Sequence, residues 1–372
     1  MSKSIFGIIN SCDRSSRING LEEYRPIGAF TFGGRYRVID FIISNMSNSG
    51  INQIQIFTGS NPLSLTDHIG TGRQYNINSK RGRIHTFFSK HATSYNLYNT
   101  AISCFIDNLP YIANMPQEYV LVAPAYMIYI QDYQSLLDQH IESGADITFL
   151  YQSVDTAKED FLYNLTIEMD KNKRVTDIQM NPGTAKNRNI MMDTCIMKKS
   201  LFISLVESAI KTSSLYSLYN IIDDNLSKLN VVGVPHRGYF VSINDFNSYY
   251  RANLGVIDTA TTNDLFRDDW AIYTQTTDAP PTKYLENADV KRSVIANGGI
   301  IKGSVENSII GREVTVEPGA VIRNSIIMSD TYIGKDVHVE NQIVDKHVVI
   351  DKIKQVVSDP SCPGYIKKSD RV

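Results

Sequence analysis

From Leu285 onward, aliphatic residues return at every fifth or sixth position: Val294, Ile300, Val305, Ile310, Val316, Ile322, Ile327, Ile333, Val339, Val344 and Ile350. Between them lie short runs rich in Gly and Asn, such as KGS, ENS, IGRE, EPGA, RNS and IGKD. Neither the 3.6 period of a helix nor the strict alternation of a long strand produces this spacing. A period near six, with turn residues between the aliphatics, predicts a left-handed parallel β-helix in which each short strand points one side chain inward before a corner. Such a solenoid leaves flat faces and an open end, so it is expected to serve as an oligomerisation surface.

The rest of the chain has a different pattern. Apolar runs SIFGIIN and QIQIF flank the segment Arg37 to Ser49, and further buried strands are expected at YVLVA (Tyr119 to Ala123) and ITFLYQS (Ile147 to Ser153). The helix-like DYQSLLDQHIESG stands between the last two, with Gly144 as its stop. This alternation predicts parallel βαβ units. At 372 residues the chain exceeds the roughly 150 typical of one domain. The change of pattern divides it into an α/β domain over 1–255, a linker over 256–285, and the β-helix with its C-terminal tail over 286–372.

Charge excludes some partners. With 37 basic and 39 acidic residues, the chain has no general attraction for nucleic acid, and any phosphate site must be local. No run approaches 18 apolar residues and the start MSKSIFGIIN turns polar at once, so a cytoplasmic protein without membrane contact is expected. Cys12, Cys104, Cys195 and Cys362 are scattered without a CxxC pair, which predicts reduced thiols and no zinc site. His85, His91, His338 and His347 show no metal-ligand spacing, and His68 is expected to be a structural histidine at a helix end.

The segment FGGRYRVIDFIISNMSNSGI (Phe32 to Ile51) resembles the segment after the nucleotide loop in bacterial glucose-1-phosphate adenylyltransferases. SLTDHIGTG, PQEYVLV, SYYRANL and DDWAIYTQTTDAPPTKY follow in the family's order and spacing. The resemblance implies a doubly wound, Rossmann-like nucleotidyltransferase domain followed by a left-handed β-helix. It also implies chemistry that makes ADP-glucose and diphosphate from ATP and glucose 1-phosphate, for glycogen biosynthesis.

That chemistry rests on positioning and charge stabilisation. It needs a glycine-rich loop against the triphosphate, carboxylates for Mg²⁺ and a cation for the sugar phosphate. The resemblance identifies each position, and this chain departs at nearly all of them. Aligned through Arg17, the loop glycines become Cys12, Asp13 and Ser15, and Asp13 sets a charge beside a polyanion at a cost of roughly 1 to 4 kcal/mol per charge pair. The following lysine becomes Ile27, and the base-recognition Gly-Thr-Ala-Asp becomes Asn99-Thr100-Ala101-Ile102. Tyr126 and Ser242 stand where two metal-binding aspartates belong, and Asn181 where the sugar-phosphate lysine belongs.

A kept scaffold without its chemistry implies a non-catalytic, regulatory subunit that binds no nucleotide or metal of its own, Mg²⁺ being used by a catalytic paralogue in a heterotetramer. Arg35 and Arg37 match the family's effector segment with Arg25 close upstream, which makes the three candidates for a sugar-phosphate effector or for interdomain contacts, while Tyr24 replaces the effector lysine. Three alternatives stay open: an active enzyme whose metal is held by Asp13, Asp132 or Asp245, a β-helix acyltransferase, and a sugar-phosphate sensor acting alone.

Overall fold

The computed structural model describes residues 4–12, 18, 20–59, 61–77, 80, 82–88, 101–213 and 215–372. Its first half is built on β1 (Ile5–Ser11), a hairpin of β2 (Thr31–Phe32) and β3 (Tyr36–Arg37), helix α1 (Val38–Asn48), β4 (Gln53–Thr58), α2 (Leu63–Ile69) and β5 (Arg83–Phe88). Helices α3 (Ala101–Asp107) and α4 (Leu109–Ala113) lead to β6 (Tyr119–Pro124), β7 (Met127–Tyr129), α5 (Tyr133–Ser143) and β8 (Ile147–Val154). The strands β9 (Leu165–Met169), β10 (Val175–Met180) and β11 (Arg188–Lys198) come next, then α6 (Lys199–Thr212), α7 (Leu218–Asp223), β12 (Val231–Pro235), β13 (Phe240–Ser242), α8 (Phe246–Gly255) and α9 (Thr259–Leu265).

The expected parallel units are present: β1 pairs parallel with β4 and β6, β4 with β5, and β8 with β12. The sheet is nonetheless mixed, because β11 runs antiparallel between β6 and β8. Neither this eleven-residue strand nor the β9–β10 hairpin stands out in the sequence, since Arg188, Asp193 and Lys198 interrupt the apolar pattern of β11. Helix α1 is buried on nearly every face, through Ile39, Phe41, Ile42, Ile43 and Met46. It begins where the Asp40 carboxylate accepts from the Arg37 N–H at 2.7 Å, and it ends ahead of Gly50. Helix α5 starts on the Asp132 side chain and stops at Gly144, whose φ of 62° only glycine adopts at little cost.

Three five-stranded parallel sheets, from Lys283 to Ile366, form the C-terminal part, a left-handed β-helix. Ile309 pairs with Ile326, and Ile326 with Ile343, so these coils repeat every 17 residues. Its interior is a column of Ile301, Val305, Ile310, Val316, Ile322, Ile327, Ile333, Val339, Val344 and Ile350. The first coil corrects the sequence reading by one position: Ile295 and Ile301 face the column, whereas Val294 packs toward the α/β domain and Ile300 is half-exposed. Each is one of two adjacent aliphatics, and spacing alone does not choose between them.

The two halves share one core. Ile309, Ile326 and Ile343 leave the solenoid column and join the cluster containing Phe30, Phe41 and Tyr249. At about 1.5–3 kcal/mol for each buried isoleucine, this contact is a substantial part of the junction. The Gly33-Gly34 turn lies against it, and at Gly34 (φ 76°) an added Cβ would stand 2.9 Å from the Ile310 carbonyl.

Candidate functional site

Ligands of doubly wound sheets bind beyond the carboxyl ends of the parallel strands. Here those ends are Asn10 to Cys12 after β1 and Ala125-Tyr126 after β6. The Cys12 N–H donates to the Asn10 side chain at 3.0 Å, so the chain beyond β1 begins in a local turn. Asp13, Ser15, Arg17 and Thr100 lie outside the described residues. Ala101 is buried at the start of α3, and Ile27 is buried in a turn of 3₁₀ helix, which puts it in the core rather than in the crevice.

The remaining positions come together. Strands β7 and β13 pair antiparallel with Ser242 opposite Met127, and the Ile243 N–H donates to the Tyr126 carbonyl at 3.0 Å. Tyr126 and Ser242 are thus neighbours on one ladder, as two ligands of one ion would have to be. Both are hydrogen-bonded within the protein, Tyr126 to Asp193. The Ser242 hydroxyl donates to Asn244 at 2.9 Å and accepts from the Asn164 amide at 3.0 Å, and Asn244 donates to the Asn164 side-chain oxygen. The Asn181 N–H donates to the Asn164 carbonyl at 2.8 Å, and its amide donates to the carbonyls of Ala157 and Phe161 at 2.8 and 3.0 Å. Ser242 and Asn181 are therefore tied through Asn164 into one buried neutral network. The network holds down the segment 157–164, in which Phe161 and Tyr163 have positive φ and Phe161 stacks on Phe240 at 5.2 Å. Beside it a cleft of about 500 Å³ is lined by Asp155, Asp160, Tyr239, Ser248 and Arg251, with Arg251 and Asp160 paired at 2.8 Å.

Of the carboxylates of the rearranged-site alternative, Asp13 lies outside the described residues, and Asp132 and Asp245 cap helices. Asp132 accepts from the Gln134 and Ser135 N–H groups at the start of α5, and Asp245 accepts from the Ser248 N–H at the start of α8. Among the described residues no group of three His, Cys, Asp or Glu side chains could hold a metal ion. His68, in the last turn of α2, bonds to the buried Asp40 at 2.6 Å, and Tyr75 donates to the same carboxylate at 2.6 Å. This triad locks α1 to α2.

The three arginines separate by role. Arg25 is buried and gives both oxygens of Asp345 on the β-helix a 2.6 Å hydrogen bond, which Tyr365 completes from the tail at 2.8 Å. Arg37 donates to the Ala29 carbonyl and the Thr31 hydroxyl, and burial, with Arg25 nearby, pushes it down to about 10. Arg35 is exposed and lies 5.1 Å from the centre of the Tyr36 ring. Lys346, which the sequence did not single out, completes a cationic cluster: burial, then Arg37 and Arg25, push its ammonium down to about 7.

The nucleotidyl transferase family model matches residues 8–258, and the model of the GlmU-like C-terminal hexapeptide region matches residues 280–362. Glucose-1-phosphate adenylyltransferases of Bacillus cereus, Bacillus thuringiensis subsp. konkukian and Bacillus anthracis are each 30% identical to this chain over 347 residues, which is 91% of this chain and 90% of theirs. The chain belongs to the glucose-1-phosphate adenylyltransferase family.

Within that family scaffold, sequence reasoning missed Asn164, the centre of the neutral network, and also Lys346 and Asp193. Lys346 sits in the repeat as Asp345-Lys346, an ordinary polar corner by sequence, and only the packing of the β-helix on β3 brings it to Arg37. Asp193 interrupts an apolar strand and belongs to no motif; its partner is Tyr126. Among the described residues none of the four cysteines forms a disulfide, and no helix is long and apolar enough to cross a membrane.

Proposed function

We propose that this chain is a non-catalytic, regulatory subunit of a glucose-1-phosphate adenylyltransferase, acting on a catalytic paralogue within a heterotetramer for glycogen synthesis. The observation that carries the reading is the neutral network of Asn181, Asn164, Ser242 and Asn244. These side chains satisfy one another, leave no charge for a sugar phosphate and no carboxylate for Mg²⁺, and fix their segment without any ligand. Loss of the anion-facing cation and of a metal carboxylate together also avoids stranding one buried charge. On this reading the chain uses neither ATP nor Mg²⁺, and Mg²⁺ serves the paralogue.

Control reaches the partner through the β-helix and the domain junction. Arg37 and Lys346 form a cationic cluster there that suits a sugar-phosphate effector, while Arg25 ties the domains together. Co-expression with the catalytic paralogue, followed by sizing and turnover assays, tests the role. The expected result is a mixed tetramer whose response to sugar phosphates differs from that of the paralogue alone. A chain that never associates, or that leaves the paralogue's kinetics unchanged, contradicts it.

A further inference from the structure

Strand β11 carries a break at the crevice. Its pairing with β8 is regular up to Met191 opposite Tyr151 and resumes at Thr194 opposite Leu150, so Met192 and Asp193 form a bulge. Asp193 sits there at φ 45°, a conformation that strains any L side chain and persists only when its surroundings enforce it. Three phenols do so. Tyr126 donates to the Asp193 carboxylate, Tyr219 donates to the Asp193 carbonyl at 2.7 Å, and Tyr129, itself bonded to Tyr133, meets the Thr194 hydroxyl at 2.6 Å. A buried carboxylate is thereby aimed at the end of the β7–β13 ladder, and the Tyr126 ring fills the space in front of it.

We infer that Tyr126 and Asp193 form an internal plug over a latent cation site. The inference rests on the reading of Tyr126 given above and adds the residue that holds it in place. The phenol O–H donates to the carboxylate where a bound cation would otherwise sit, and the ring excludes the ion and its hydration shell. Tyr126→Asp removes the plug and sets a second carboxylate beside the first. Two carboxylates sharing a buried crevice repel, and a divalent cation with hard oxygen ligands relieves that repulsion best.

Mn²⁺, followed by its electron paramagnetic resonance signal in titrations of the full-length chain, is the probe. Tyr126→Asp binds Mn²⁺ saturably with Ser242, Asn181 and the loop after β1 unrepaired, and adding Asp193→Asn weakens that binding about tenfold or more. The wild type and Tyr126→Phe, which keeps the ring, bind none. Tyr126→Asn, which opens the space without adding charge, binds more weakly than Tyr126→Asp and decides the matter if that variant does not fold. A folded Asp or Asn variant without Mn²⁺ binding overturns the plug, as does binding indifferent to Asp193→Asn or equal binding by the wild type. The result is separable from the regulatory role, because cation binding is read on this chain alone and regulation on its mixture with the paralogue.

Discussion

Asn181 is fully buried, and its amide protons go to main-chain oxygens of the segment it holds down. A lysine in the same place would lose these bonds and bring in a charge beside a cleft whose Asp160 is already paired with Arg251. Asn181→Lys is therefore expected to cost about 3 kcal/mol or more, as an uncompensated buried charge does, measured as a lower urea midpoint. Asn164→Ala strands the Ser242 and Asn244 groups and should cost about 1–3 kcal/mol by the same measurement. Two other buried side chains set the acid limit. Burial pushes His140 and His236 down to about 4, and an unfolded histidine titrates near about 6.5. Between those values the unfolded chain binds more protons than the folded one, so their contribution is complete above the upper value and is lost as pH falls toward the lower. Thermal melts should show this loss, and His140→Gln or His236→Gln should flatten it. At this scale the sequence offered an expectation of which ligands are replaced, because motif positions can be counted. It did not show what took their place, because Asn164 and Asp193 act through contacts made 78 and 67 residues away.

Among the elements, the junction carries the most structure and was the least legible. Periodicity revealed the solenoid, yet it misplaced the first coil by one residue where Val294-Ile295 and Ile300-Ile301 offer two aliphatics each. Nothing in the sequence ties Arg25 to Asp345, and that pair bridges the domains. Asp345→Ala leaves the Arg25 guanidinium buried and unpaired, so it should cost about 3–5 kcal/mol and separate the unfolding of the two domains in calorimetry. Arg25→Met with Asp345→Leu should recover most of that loss. The same junction makes binding proton-linked. Lys346 titrates near about 7, an unfolded lysine near about 10.4, and an anion beside it raises the folded value. Binding of the proposed sugar-phosphate effector at pH 8 should therefore take up protons, seen as a calorimetric enthalpy that depends on the buffer. Lys346→Met should abolish that dependence.

For the molecule as a whole, membership of the family follows from the matched α/β and hexapeptide regions and from relatives aligned along nine-tenths of the chain. The shared core built on Ile309, Ile326 and Ile343 makes the β-helix and the α/β domain one packed body, so a contact made on the solenoid has a direct route to the crevice. On the proposed reading the crevice side chains serve one another in place of a ligand: Tyr126 bonds to Asp193, and Ser242 and Asn181 to Asn164. The most direct test of that reading is diphosphate release by the purified chain alone, with ATP, Mg²⁺ and glucose 1-phosphate at saturating concentrations. The expected rate is no higher than that of a preparation without the chain. Sustained turnover that scales with the amount of this chain would contradict it.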